Sequence, residues 1–419
     1  MPLGLYISVP FCRTKCSYCN FASDVFSKSA YENYVARLLE DITNSRQLAA
    51  DLGCVLEENA DSIYLGGGTP SLLEAVQLLR LFAAVRNHFA ITPDAEITVE
   101  CAPGTLTRAL IETLLQCGVN RVSLGVQSFV DQEAQSVGRL HKRSAVLEEI
   151  GRLRESGLDN INIDMIAGLP HQTADSWAYS VSEMIATGVP HASVYMLEVD
   201  EGSRLGRELI AGGVRYHAHF VPNEDATADF YQQACEMLGA AGIVQYEISN
   251  FARAVAPLCV SRLRSNESRH NLKYWTRQPY MGFGVDAHSM LVAECHNEDH
   301  QQGDDCQAVR FATPDSLESY MNRAPRTVTP VSARAAIEEG FFLGLRLNRG
   351  IEIEGLPQEP DREMAAVREA AIEQSLEERL LERHGATLRL TARGRLLSNE
   401  VFARFLAEEK VGTGHVNPR

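Results

Sequence analysis

Three cysteines near the start of the chain, Cys12, Cys16 and Cys19, follow a C-x3-C-x2-C spacing within the run Phe11-Cys12-Arg13-Thr14-Lys15-Cys16-Ser17-Tyr18-Cys19-Asn20-Phe21. The thiolate is the form that ligates a metal, and the flanking Arg13 and Lys15 are expected to favour it by lowering the thiol pKa values. Structural zinc sites and ordinary iron–sulfur clusters are closed by four protein ligands, whereas a catalytic metal keeps one position open. Three thiolates within eight residues, with no fourth beside them, therefore suggest an open metal site. Three free loop thiols, or a zinc ion completed by a distant histidine, are the alternatives that this spacing leaves standing.

Two further segments have side-chain or backbone chemistry of the right kind. In Tyr64-Leu65-Gly66-Gly67-Gly68-Thr69-Pro70 the consecutive glycines let the backbone approach a ligand and expose its N–H and C=O groups, although a tight turn uses the same residues. Glu100, in Glu100-Cys101-Ala102-Pro103-Gly104, is a carboxylate at the end of a β-type run; it either points into a site at the strand ends or serves as a solvated helix cap.

Such groups need a scaffold, and the first 200 residues supply a pattern for one. Runs at 4–9, 61–65, 96–100, 121–126, 160–165 and 193–197 are rich in Val, Ile, Tyr and Leu and predict six strands. Helical spacing predicts helices between them, for example over 31–48, 72–89 and 173–187. Strand–helix alternation of this kind buries parallel strands under helices and collects function at the carboxyl ends of the strands, where the motifs above fall. Beyond 197 the pattern loosens, and 201–225, 254–268 and 293–309 are expected to be loops or insertions. Residues 360–419 change character, with two charged helical stretches, a β-rich segment at 387–391, a final helix near 397–408 and a frayed tail at 411–419. The expected organisation is a core over 1–200, a connecting region over 201–355, and a small C-terminal domain over 356–419 for which a winged-helix arrangement is one expectation.

Composition narrows the classes. A chain of 419 residues suggests two to three domains at roughly 150 residues each. Hydrophobic residues at 45% and charged residues at 22% are ordinary for globular proteins and exclude disordered, collagenous and coiled-coil classes. No apolar run approaches the ~20 residues of a membrane span. Residues 1–10 lack a basic start and a cleavable small-residue site, so a cytoplasmic location is expected. The net charge of −16 argues against general binding to nucleic-acid phosphates. Ten cysteines are too few for a disulfide scaffold at this length, which favours metal ligation or redox chemistry.

The cysteine spacing, with aromatic Tyr18 before its last member, resembles the signature of the radical S-adenosylmethionine (SAM) superfamily. The resemblance implies a 4Fe–4S cluster on Cys12, Cys16 and Cys19 whose fourth iron is chelated by the amino and carboxylate groups of SAM. In members that do radical chemistry, one electron from the cluster cleaves SAM to methionine and a 5′-deoxyadenosyl radical. It further implies that Gly67, Gly68 and Thr69 hold the SAM amino group, with Thr69 standing where the family often has Glu. Tyr6, Glu100, Gln127, Arg139 and Asp164 match other SAM contacts; Gln127 and Asp164 can hydrogen-bond ribose hydroxyls, and Arg139 can pair with the methionine carboxylate. The fold implied is a partial (β/α)6 barrel of parallel strands with a smaller α+β C-terminal domain; alternation alone would equally suit an open doubly wound sheet.

From residue 5 to about 197 the chain looks like the coproporphyrinogen dehydrogenase branch of that superfamily. The dehydrogenases carry a further Cys two residues after the third ligand, where this chain has Cys19-Asn20-Phe21, and an extension before the first strand. Instead, His270-Asn271-Leu272-Lys273-Tyr274-Trp275 matches the HNxxYW motif of the HemW group of heme chaperones. An imidazole can ligate iron axially and aromatic faces suit a flat apolar macrocycle, so His270 is the expected heme ligand; the alternative is that these side chains pack a domain junction. The segments 338–346 and 390–399 resemble the start and end of the group's C-terminal region. The implied function is binding of a 4Fe–4S cluster, SAM and heme, with transfer of heme to an acceptor protein and peripheral membrane association only through that acceptor. The alternative is oxygen-independent oxidative decarboxylation of coproporphyrinogen III. Cys259, Cys295, Cys306, His217 and His219, in the looser segments, are candidates for a second metal or heme site. Cys54, Cys101, Cys117 and Cys235 are expected to be small hydrophobes.

Overall fold

Leu3, Leu5, Ile7 and Val9 of the first strand (Leu3–Val9) are wholly buried, and the positions between them are largely covered too. Only a strand covered on both faces has this pattern, and a parallel sheet wrapped by helices supplies that cover. A computed structural model describes residues 1–254, 266–294, 306–356 and 361–406. In it the strands Leu3–Val9, Asn59–Gly67, Ala90–Cys101, Arg121–Gln127, Ile161–Ala167 and His191–Met196 each pair in parallel with the one before. These are the six strands the sequence predicts, extended by a few residues at their ends. Helices Ala75–His88, Arg108–Gln116, Arg143–Glu155 and Ala174–Thr187 fill the crossovers. Their limits follow local chemistry: Thr107 and Thr173 accept a backbone N–H from Leu110 and Ser176 as N-caps, and Gly188, at φ +68°, ends the last of them ahead of the sixth strand.

The sheet continues past residue 200. Tyr280–Phe283 adds a seventh parallel strand on the outer side of the first, followed by His288–Ala293, Cys306–Ala312 and Thr327–Ser332. On the other edge Asn250–Arg253 runs antiparallel to the sixth strand and pairs with Ile243–Glu247. The end strands do not pair with one another among the described residues, so the barrel is partial. The chain accordingly divides into one compact unit of 1–274 with 278–330, and a second of 275–277 with 331–419. The expected boundary after 200 differs from this division because the later strands hydrogen-bond to the barrel sheet, and that after 355 because Ile351–Glu352 pairs within the second unit.

In the second unit, strands Leu381–His384 and Thr387–Leu390 form a hairpin that also pairs with Ile351–Glu352. Leu380, Leu381, Leu388 and Leu390 are buried there, and the rings of Phe341 and Phe405 stack at 4.8 Å. The expected loop 201–225 contains a helix, Arg204–Ala211, capped by Ser203. Cys259, Cys295 and the tail 411–419 lie outside the described residues. No helix among the described residues is long and apolar enough to cross a membrane.

Candidate functional site

The cysteine loop leaves the carboxyl end of the first strand and is fastened on three sides. Cys12 N–H donates to Asp24 O at 3.0 Å, Ser17 N–H to Val137 O at 3.1 Å, and the Thr14 hydroxyl to Gly138 O at 3.0 Å. The helix Arg204–Ala211 contributes two more bonds, from Leu205 N–H to Ser17 O at 2.8 Å and from Arg204 Nη1 to Lys15 O at 3.2 Å. Cys12, Cys16 and Cys19 are thereby held as half-buried free thiols. Burial pushes the Cys12 and Cys19 thiols up. This corrects the expectation that Arg13 and Lys15 lower the thiol pKa values. Lys15 donates to Phe21 O and acts on Cys19 only as a lesser influence, so desolvation of the thiolate prevails. Among the described residues no three His, Cys, Asp or Glu side chains are placed to share a single metal ion, and no histidine lines the cavity beside the thiols. Three free thiols lining one cavity suit a polynuclear cluster, in which each thiolate binds a different iron.

That cavity has a volume of about 340 Å³. It is lined by the three cysteines, Tyr18, Gly67, Gly68, Thr69, Glu100, Gln127, Arg139 and Asp164, eleven of the thirteen residues singled out from the sequence. The glycine run makes the close approach possible. Gly68 N–H donates to Val9 O at 2.8 Å and Thr69 N–H to Phe11 O at 2.7 Å, and a Cβ on Gly68 would fall 2.7 Å from Phe11 O. Gly67, at φ +102°, turns its N–H onto Glu100 Oε2 at 3.1 Å, while the Tyr64 hydroxyl donates to Glu100 Oε1 at 2.8 Å.

The cavity holds two acidic groups and a basic one. Burial pushes the Glu100 carboxyl up to about 7, and nearby Asp164 adds to the rise. Asp164 is also raised by burial, against donors from Ser123 at 2.9 Å and Asn162 at 2.7 Å. Two desolvated carboxylates favour a cation between them. Arg139 donates from Nη2 to the Tyr18 hydroxyl at 2.9 Å, and its Nε is buried with no hydrogen-bond partner. Gln127 lies at a bulge in the fourth strand with a left-handed φ of 71°, a conformation that costs a non-glycine residue about 1–3 kcal/mol, and its Oε1 is likewise buried without a partner. A ligand with a cationic centre, a carboxylate and hydroxyl groups would satisfy these atoms, and SAM has all three.

Tyr6 and His270 lie outside this cavity. Tyr6 lines a neighbouring one of about 280 Å³ that shares Gly67 and Gly68 and includes Tyr274 and Tyr280. His270 is the second residue of the short helix Arg269–Trp275, whose first N–H groups, of Arg269 and His270, both donate to Glu96 at 3.1 Å. Its ring is 1% exposed; Nδ1 is hydrogen-bonded to the Ser62 hydroxyl at 3.0 Å and Nε2 to the Tyr274 hydroxyl at 2.8 Å. Both ring nitrogens are thus engaged within the protein, and the ring fills the barrel interior beside Gly4, where a Cβ would come within 3.3 Å of it; ligation of a heme iron by His270 would require one of these bonds to break. Lys273 of the same helix is buried and ion-paired with Asp61 at 2.7 Å. Of the candidates for a second metal or heme site, His217 pairs with His171 at 3.1 Å, and Cys306 donates to Ala308 O.

Sequence reading missed the inner wall of the cavity, made by Arg121, Asn162, Ser193 and Asn250. A period-two signal was available: Arg121, Ser123 and Gly125, Asn162 and Asp164, and Ser193 and Tyr195 alternate with apolar residues in strands otherwise buried on both sides.

A partial barrel of parallel strands that opens on three clustered thiols, a glycine cradle and paired buried carboxylates defines a radical SAM protein. The model of the radical SAM superfamily matches residues 6–183, and that of the HemN C-terminal domain matches residues 331–397. The Bacillus subtilis protein named heme chaperone HemW is 31% identical over 96% of this chain and 99% of its own length. The Mycobacterium tuberculosis H37Rv protein of the same name is 32% identical over 97% and 95%. The chain belongs to the HemW family. The solved structure of coproporphyrinogen III oxidase (HemN) from Escherichia coli, described as a radical SAM enzyme, superposes with a TM-score of 0.77 at 22% identity, covering 96% of this chain and 90% of that one; it shares the fold.

Proposed function

We propose that this protein is a heme chaperone that holds a 4Fe–4S cluster on Cys12, Cys16 and Cys19, binds SAM in the adjoining cavity, and hands heme to an acceptor protein. The observation that carries the cofactor reading is the convergence of three half-buried thiols, two desolvated carboxylates and the partnerless atoms of Gln127 and Arg139 around one cavity. When bound, the cluster supplies a reducing electron and an iron open to an amino acid's amino and carboxylate groups. Around it, Gly67, Gly68 and Thr69 line the cavity wall nearest Cys12, Glu100 and Asp164 favour the cationic centre, Arg139 pairs with the carboxylate, and Gln127 with Asp164 takes the ribose hydroxyls. The heme reading is supported by the name carried by relatives that match this chain almost end to end.

The test is hemin titration of the anaerobically reconstituted protein, followed by the Soret band and by transfer to an apo-hemoprotein. Wild type is expected to bind and release hemin, and no binding would remove the heme reading. His270→Ala is expected to bind hemin like wild type yet melt at a lower temperature, because it strands the hydroxyl of Ser62, at about 1–3 kcal/mol, and removes a buried ring. Loss of the Soret shift in a folded His270→Ala variant would identify His270 as the ligand.

A further inference from the structure

Arg121 opens the fourth strand, and Ser123, two residues on, is in register with Glu100. Side chains two apart share a face, so Arg121 projects from the same inner wall about 7 Å deeper in the barrel than the ring of groups around Glu100. It is 2% exposed and lines the cavity. Its Nε has no hydrogen-bond partner, and it takes part in no ion pair among the described residues. Its register partner, Thr98, is fully buried and its hydroxyl is also without a partner. Asp164, on this wall, has its oxygens engaged by Ser123 and Asn162, and the fully buried Glu247 accepts from Asn250. The guanidinium charge acts on Tyr64, Asp164, His191 and Tyr246.

A buried, unpaired guanidinium is costly to maintain, and a planar fork of donors matches a carboxylate. We infer that Arg121 forms a carboxylate-binding subsite in the barrel lumen, distinct from the Arg139 side of the cavity. Asn162, Ser193 and Asn250 line the wall beside it, with their own donors engaged by Ser123, Asp164, Glu247 and one another, so that Arg121 is the donor to the ligand. The carboxylate belongs either to a porphyrin propionate arm or to a free small acid. The subsite itself does not rest on the heme proposal.

The experiment uses the full-length protein, reconstituted and with SAM present, as wild type, Arg121→Gln and Arg121→Lys. Probes are hemin, hemin dimethyl ester and succinate, read by the Soret band and by the shift in melting temperature; SAM affinity and iron content are measured in parallel. Arg121→Gln is expected to weaken the carboxylate-bearing probe roughly ten- to a hundredfold, the loss of one charge-assisted pair. Arg121→Lys should keep part of that affinity, and iron content should match wild type, while the SAM affinity of each variant separates a change at the SAM contacts from loss of the carboxylate probe. A loss confined to hemin, with the ester unaffected, identifies the porphyrin arm; a loss confined to succinate identifies a free acid. If wild type binds no hemin but senses succinate through Arg121, the heme proposal fails and the subsite stands. The inference is overturned if Arg121→Gln keeps wild-type iron content and binds every carboxylate probe as wild type does, or if the variant loses only SAM affinity, which would make Arg121 a positioning residue for Asp164.

Discussion

Glu100 joins the glycine cradle to the electrostatics of the cavity: one oxygen accepts from Gly67 N–H, the other from the Tyr64 hydroxyl, and burial holds its carboxyl near 7 against an ordinary value of 4.5. Without a ligand, the folded protein keeps this proton up to about pH 7 while the unfolded chain releases it near 4.5, so stability falls as pH rises through that window and levels off above it. A cationic ligand favours the ionised carboxylate, so binding below pH 7 must expel the proton. SAM affinity is therefore expected to weaken by up to about tenfold per pH unit below 7, and Glu100→Gln should lower affinity at pH 8 and flatten that slope. Calorimetric titration between pH 6 and 8 checks this; an equal slope in both proteins would assign the proton elsewhere. Of the site residues, those at strand ends were legible from sequence because a motif marks them. His270 was not, since a buried imidazole bonded to Ser62 and Tyr274 and a metal-ligating one have the same sequence.

At the scale of elements, the cysteine loop depends on the backbone of the glycine run. Gly68 lies where a Cβ would meet Phe11 O, Val9 O and Phe11 N at 2.7, 2.8 and 2.9 Å, all main-chain atoms that cannot swing aside. Gly68→Ala is expected to cost about 1–3 kcal/mol and to displace the loop, so that iron per chain after reconstitution falls while far-ultraviolet circular dichroism stays close to wild type. Full iron loading with unchanged stability would show that the loop does not rely on this approach. The six barrel strands were legible because each is a β-rich run buried on both faces. The strand Tyr280–Phe283 was not, because its four residues gain their identity from pairing with Gly4–Ile7 at the far end of the chain. The helix Arg204–Ala211, which supports the cysteine loop, was hidden by Gly206 and its charged residues, although Ser203 was a visible cap.

For the molecule as a whole, the partial barrel gathers at one cavity groups from the first to the sixth strand, and its lumen holds the helix of the HNxxYW motif deep to the cofactor side. The net charge of −16 leaves Arg139 and Arg121 as the cations of a largely acidic chain that line this cavity with buried nitrogens lacking partners. The central claim is that three thiols hold a cluster with one iron free for SAM. Electron paramagnetic resonance of the anaerobically reconstituted, reduced protein, recorded with and without SAM, tests it directly. The expected result is a 4Fe–4S signal in wild type that changes shape when SAM is added and disappears in Cys16→Ala. A wild-type protein that takes up only zinc, or a cluster signal indifferent to SAM, would contradict it.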